Sequence, residues 1–159
     1  MILNCIIVDD NTLQRLATLK RINSHPSLKL SGEFSSALEA KKFLQTTTVN
    51  LIFMEVNLPI LNGFDLLEIY KNSSEQNKPF IIVTSADTSH AFKAFDYNVI
   101  DYLEKPTTEN RFNDAVTKAV LQAKMAENFQ DDNGEHIFVK SNLKKRKIYI
   151  NEIKWIEAL

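Results

Sequence analysis

Three stretches of the sequence are almost wholly apolar yet no longer than a strand: Leu3 to Val8, Leu51 to Val56 and Phe80 to Thr84. Ile, Val, Leu, Phe and Met follow one another there with little alternation, as in central strands of a parallel sheet covered on both faces. Parallel neighbours need a crossover between them, which commits the chain to strand and helix in turn. A further strand-like run at Lys29 to Phe34 and a weaker one at Ile100 to Leu103 bring the number to five. No run approaches the roughly 18 apolar residues that cross a bilayer, so no membrane segment is expected.

The intervening stretches have helical spacing. Thr12 to Asn23 places Leu13, Leu16, Ala17 and Leu19 along one stripe, and Ser36 to Gln45 opens with Ser36 and Glu39 in capping-box spacing. Gly63 to Asn72 is the third helix and Ser89 to Tyr97 the fourth. The fifth starts near Thr108 and carries Phe112, Val116, Ala119, Val120 and Ala123 toward about Phe129. Phe92, Phe95 and Tyr97 are assigned to the core, as aromatic residues spaced on a short helix usually are. Five strands, each followed by a helix, with right-handed crossovers, predict a flavodoxin-like doubly wound five-stranded parallel sheet.

At 159 residues the chain exceeds this domain without reaching two. Residues 1–125 are assigned to the α/β domain and 126–135 to a helix end and an acidic linker, QDDNGE from Gln130 to Glu135. Beyond it, His136 to Lys140 and Lys147 to Ile150 alternate apolar with polar around a basic turn, and Ile153 to Ile156 offers a third strand. Charge divides in the same way. Six basic and two acidic residues from His136 onward give +4, which leaves −5 for the first 135 residues of a chain whose net charge is −1. An acidic body with a basic end predicts two modules with different partners. Cys5 is the only cysteine, so no internal disulfide can form, and MILNCIIVDDN does not have the form of a secretory leader. The expected setting is the reducing cytoplasm.

In open parallel sheets ligands bind beyond the carboxyl ends of the strands. Asp9 and Asp10 follow the first strand, Glu55 lies at the end of the third, Thr84 and Ser85 close the fourth, and Lys105 with Pro106 follows the fifth. Clustered carboxylates of this kind suit a hard divalent cation such as Mg2+, with Asp9, Asp10 and Glu55 as its ligands. A hydroxyl and an ammonium opposite suit phosphoryl oxygens. Taken one at a time, the acids could simply cap a helix, and Lys105 could be a solvated charge. Four strand ends supplying complementary groups together are far less easily explained so. His25, His90 and His136 lack zinc-ligand spacing, and neither G-x-G-x-x-G nor G-x-x-x-x-G-K-[ST] occurs, which argues against dinucleotide enzymes and P-loop NTPases.

IIVDD at 6–10, LIFMEVNLPILNGFDLL at 51–67, IIVTSA at 81–86 and DYLEKP at 101–106 resemble, in order and spacing, the receiver domain of two-component response regulators. The resemblance covers about residues 1–125. It implies that Asp9 and Asp10 are the metal-binding acids, Ser85 and Tyr102 the switch hydroxyl and rotating aromatic, and Lys105 the phosphate-contacting lysine. It also implies a cis Lys105-Pro106 bond. Glu55 stands where receivers carry the phospho-accepting aspartate, and its side chain is one methylene longer. Two readings follow: Glu55 imitates the phosphorylated state by placing negative charge beside Ser85 and Lys105, or the pocket has drifted and switches by other means or not at all.

SHAFKAFDYNVIDYLEKP and the terminal HIFVKSNLKKRKIYINEIKWIEAL resemble receivers joined to LytTR-type DNA-binding domains, with residues 136–159 matching the start of such a domain. The resemblance implies a bacterial transcriptional regulator with a sensor histidine kinase as its partner, doubtful with Glu55, and DNA bound only through a full output domain. The chain is therefore expected to be cut short within that domain, not to bind DNA specifically, and to form a homodimer through Ile137, Val139, Ile148, Ile150, Ile153 and Trp155. Two other classes remain: a protein-contact module working through its fourth and fifth helices, and a Mg2+-dependent phosphohydrolase. No enzymatic activity is expected, because no second nucleophile and base accompany Glu55.

Overall fold

The computed structural model describes residues 1–72, 78–130, 136–141 and 144–149. Strands and helices alternate as β1 (Leu3–Val8), α1 (Thr12–Ser24), β2 (Leu28–Phe34), α2 (Ala37–Leu44), β3 (Leu51–Met54), α3 (Gly63–Asn72), β4 (Phe80–Ser85), α4 (Ala91–Phe95), β5 (Asp101–Glu104) and α5 (Glu109–Gln130). All strand pairs in this sheet are parallel and the order is β2-β1-β3-β4-β5, the flavodoxin-like arrangement. β1 and β3 are adjacent while their crossovers run in opposite directions, so a crevice opens beyond their carboxyl ends.

Continuous apolar strands are needed because each one feeds two cores. Ile6, Val8, Ile52, Met54 and Val83 pack with Ala37, Ala40, Leu66 and Leu67 of α2 and α3. Their neighbours Cys5, Ile7, Leu51, Phe53 and Ile82 pack on the opposite face with Ile22 of α1 and Phe112, Ala115 and Val116 of α5. Phe53 stacks on Phe112 with ring centroids 5.2 Å apart. Asn11 caps α1 by accepting from the Gln14 backbone N–H, and Ser36 caps α2 by accepting from that of Glu39. The capping box is not reciprocal, since the Glu39 carboxylate accepts from the Ser35 hydroxyl.

Three expectations are corrected. The fourth helix is a 3₁₀ turn at Thr88–His90 followed by the short α4, and Phe92 and Phe95 are 90% and 52% exposed rather than in the core. An element of five residues has room to bury one face, and Ala94 takes it; Tyr97 is half-buried beside Phe64. Leu13 and Leu16 of α1 are likewise exposed, and Ile22 is that helix's buried residue. Lys144–Arg146, expected in the basic turn, lie on a strand.

The chain divides into two compact units, Met1–Ala123 and Lys124–Leu159. In the second, β6 (His136–Ser141) and β7 (Lys144–Tyr149) form an antiparallel hairpin. Its register pairs Ser141 with Lys144, so two residues connect the strands and the basic run is left to β7. The expected linker at 131–135 and the third strand at Ile153 to Ile156 lie outside the described residues.

Candidate functional site

The carboxyl ends of β1, β3 and β5 bring Asp9, Glu55 and Lys105 together. β1 and β3 pair from Cys5–Leu51 to Val8–Met54, and the Glu55 backbone N–H donates to the Val8 carbonyl at 2.9 Å, which sets the two acids side by side. On the far side, the Lys105 N–H donates to the Ser85 carbonyl at 2.9 Å, and the following Lys105-Pro106 peptide is cis.

The Lys105 ammonium is fully engaged. It donates to Asp9 Oδ2 at 2.7 Å, Gln14 Oε1 at 2.7 Å and Glu55 Oε2 at 2.8 Å, one oxygen for each of its three protons. The carboxylates are held from behind by backbone donors. Asp9 Oδ1 accepts from Asn11 N–H at 2.9 Å, and Glu55 Oε1 from Val56 N–H at 2.8 Å and Asn57 N–H at 3.0 Å. Asp9 and Glu55 are buried, and the Lys105 side chain is only 10% exposed. Gly63 secures the wall behind Glu55. A Cβ there would lie 2.7 Å from both the Glu55 carbonyl oxygen and Val56 Cα, and its N–H donates to the Val56 carbonyl at 2.9 Å. The start of α3 is thus pressed against the backbone that carries the glutamate.

Asp10 takes no part; it is exposed while Asp9 is buried. Ser85 is fully buried, and its hydroxyl accepts from the Asp87 N–H at 3.3 Å. Tyr102 is also buried, its hydroxyl donating to the Asp87 carbonyl. Burial pushes the Tyr102 phenol above its ordinary range, with the Glu55 and Asp87 charges adding to this and the Ser85 hydrogen bond opposing it. Gln14 was not among the sequence candidates. Its position, four residues past the acid pair in the first turn of a helix aimed at the same edge, was the available signal.

These residues do not fit a magnesium ion as arranged. Mg2+ demands near-octahedral oxygen coordination. Here one oxygen of each buried acid faces Lys105, the others face backbone N–H groups, and Asp10 lies outside. Among the described residues no three His, Cys, Asp or Glu side chains form a metal-binding group.

Residues 5–117 match the response regulator receiver domain family. The chain is 37% identical to protein MrkE of Klebsiella pneumoniae over 106 residues, covering 67% of this chain and 39% of that protein. It is 34% identical to the transcriptional regulatory protein YpdB of Escherichia coli K12, covering 71% of this chain and 46% of that protein. To the sensory transduction protein LytT of Enterococcus faecalis it is 30% identical, covering 74% and 48%. The chain therefore spans less than half the length of these relatives. Among solved structures, the response regulatory domain of MrkE superposes with a TM-score of 0.71 at 32% identity, covering 77% of this chain and 98% of that one. The chemotaxis response regulator CheY4 of Vibrio cholerae superposes at 0.64 with 17% identity, covering 75% and 99%, a likeness of fold alone.

Proposed function

This chain belongs to the response regulator receiver domain family, and from that premise we propose that it is the receiver part of a LytTR-family two-component transcriptional regulator whose Glu55 stands in for a phosphorylated aspartate. One observation carries the reading: a carboxylate at the acceptor position reaches Lys105 at 2.8 Å while Tyr102 lies turned in beneath Ser85 and Asp87. A fixed charge biases a two-state switch only through its different interactions with the two states. The Glu55–Lys105 contact, which ties the end of β3 to the residue after β5, is the interaction through which Glu55 would exert that bias.

On this reading residues 136–159 open the DNA-binding domain, the basic β7 belongs to that output half, and DNA is engaged through the full-length regulator, as a homodimer in the cytoplasm. A histidine kinase remains the family's partner, but phosphoryl transfer to Glu55 is not expected. Three N–H donors hold the Glu55 carboxylate, and its arm is one methylene longer than an aspartate's, so it does not present the geometry that acyl-phosphate formation or phosphohydrolase turnover needs. The test is intact-mass measurement after incubation with acetyl phosphate and Mg2+. The wild-type chain should stay unmodified and Glu55→Asp should gain a phosphoryl group; an adduct on wild-type Glu55 would sink the proposal.

A second reading, a module that works by protein contact, is favoured by the exposure of Phe92 and Phe95 on α4. The pair predicts a partner on that face. Phe92→Ser should leave stability unchanged and weaken self-association in sedimentation; unchanged sedimentation would count against it.

A further inference from the structure

We infer that Lys105 is the resident cation of this pocket and that the pocket takes up no divalent metal ion. This goes beyond the lost phosphoryl step, and it does not depend on which signalling state Glu55 imitates. Two carboxylates enclosed together need a counter-charge, and the lysine supplies it with every ammonium proton placed on an oxygen: Asp9 at 2.7 Å, Gln14 at 2.7 Å and Glu55 at 2.8 Å. A metal ion entering between Asp9 and Glu55 would have to expel that ammonium from a side chain that is nine-tenths buried.

Three features oppose the exchange. The longer arm of Glu55 folds back so that Oε1 meets the N–H groups of Val56 and Asn57, and turning it toward a metal forfeits both bonds. A Cβ at Gly63 would lie 2.7 Å from the Glu55 carbonyl oxygen, so the start of α3 already stands close behind the backbone that carries the extra methylene. Asp10, the remaining acid of the pair, is exposed and bonds to none of these groups, so a metal would find two carboxylates, both already occupied. Gln14 completes the lysine's coordination from α1, a role that a pocket emptied for a hydrated metal would not need.

The test uses the full 159-residue chain and Mn2+ alone, followed by electron paramagnetic resonance of the free ion, with Mg2+ calorimetry alongside. Wild-type protein should show no saturable one-to-one binding sensitive to Asp9→Asn up to about 10 mM metal, the range of weak divalent sites. Lys105→Met should create a site at least about tenfold tighter, and the site should vanish when Asp9→Asn is added. Wild-type binding of one Mn2+ that Asp9→Asn abolishes overturns the inference. So does a folded Lys105→Met chain that gains no affinity, since the lysine would then not be what excludes the ion. Should Lys105→Met fail to fold, Lys105→Gln is the replacement, with the same two outcomes. The Lys105 ammonium 15N resonance of the wild type gives an independent answer: Mg2+ should leave it in place, and its loss on titration refutes the claim. A phosphoryl adduct on wild-type Glu55 would refute the proposed function without touching this result.

Discussion

Two buried carboxylate clusters, one beyond the carboxyl ends of β1 and β3 and one at the start of β5, balance their charge in opposite senses. Asp9 and Glu55 share the single ammonium of Lys105, a group of net charge −1 closed off from water on all three members. Asp101, at the start of β5, accepts from both Arg111 and Lys118 of α5, a group of net charge +1 whose cations are 41% and 54% exposed. An excess of charge is easily carried when the surplus reaches solvent. Where every member is enclosed, the surplus is a standing cost, and such arrangements are found at sites kept for function. The second cluster has a structural task. Arg111 stands in the first turn of α5, where the helix dipole disfavours a cation, and the paired Asp101 offsets that penalty and ties the helix to the sheet.

The contrast breaks most visibly at Lys105. Lys105→Met strands two buried carboxylates, and loss of one partner from an enclosed ion group costs about 3 kcal/mol. Urea denaturation at pH 7 should show a loss of that size, with the slope against denaturant unchanged. A loss below about 1 kcal/mol, the range of exposed pairs, would mean that the acid-rich cluster is as well solvated as the other.

Next in size is the acid response of Asp101. Burial alone would raise its carboxyl; hydrogen bonds from Arg111, Lys118 and the Tyr102 backbone outweigh that and bring it down to about 2 from an ordinary 3.8. A depressed carboxyl contributes stability above its unfolded value and loses it as pH falls through its folded one, so the contribution is complete above about pH 4 and gone near pH 2. It amounts to roughly 2 kcal/mol. Asp101→Asn should lose that amount at pH 7 and show a flatter stability profile between pH 4 and 2. Parallel profiles for the two proteins would show that this carboxylate is not the one that titrates.

What could be foreseen follows the physics of each element. The parallel sheet was legible because strands covered on both faces must be largely apolar: β3 is so throughout, and β1 and β4 are so apart from Asn4, Thr84 and Ser85. The pairing of Asp9, Glu55 and Lys105 at one edge followed from the rule that sheet order gathers strand ends. Phe92 and Phe95 were misplaced because spacing reports a helix's period and not whether a neighbour covers its face. Asp101 went unnoticed because nothing in ILE-type runs marks a polar strand residue as buried; its partners stand 10 and 17 positions away, on the next helix. The saturation of Lys105 was equally hidden, since it depends on the orientation of each oxygen.

A third site sharpens the contrast in the loop beyond Glu55. Ile60 is fully exposed with φ at 70°, and Leu61 N–H donates to the Pro59 carbonyl at 2.9 Å around it. A β-branched residue with that φ is strained, and an exposed one has no packing to offset the strain. Ile60→Asn should therefore stabilise the chain by about 1 kcal/mol, which a thermal melt would register. A neutral or negative result would mean that the isoleucine makes compensating contacts, and the strain near the acid-rich cluster would have to be sought elsewhere.

The smallest effect belongs to the base-rich cluster. Lys118 donates to Asp101 Oδ2 at 2.6 Å, yet its side chain is more than half exposed, and Arg111 already holds both oxygens of the same carboxylate. Removing it takes the cluster from +1 to neutral and leaves the buried acid paired, so only a screened surface interaction is lost. Lys118→Met should cost no more than about 0.5 kcal/mol, shrinking further in high salt. The comparison is with Lys105, where loss of one ammonium of the same chemistry should cost several times as much. A Lys118→Met loss rivalling that of Lys105→Met would erase the distinction, because it would show that Arg111 alone cannot satisfy Asp101 and that both clusters depend on every cation they hold.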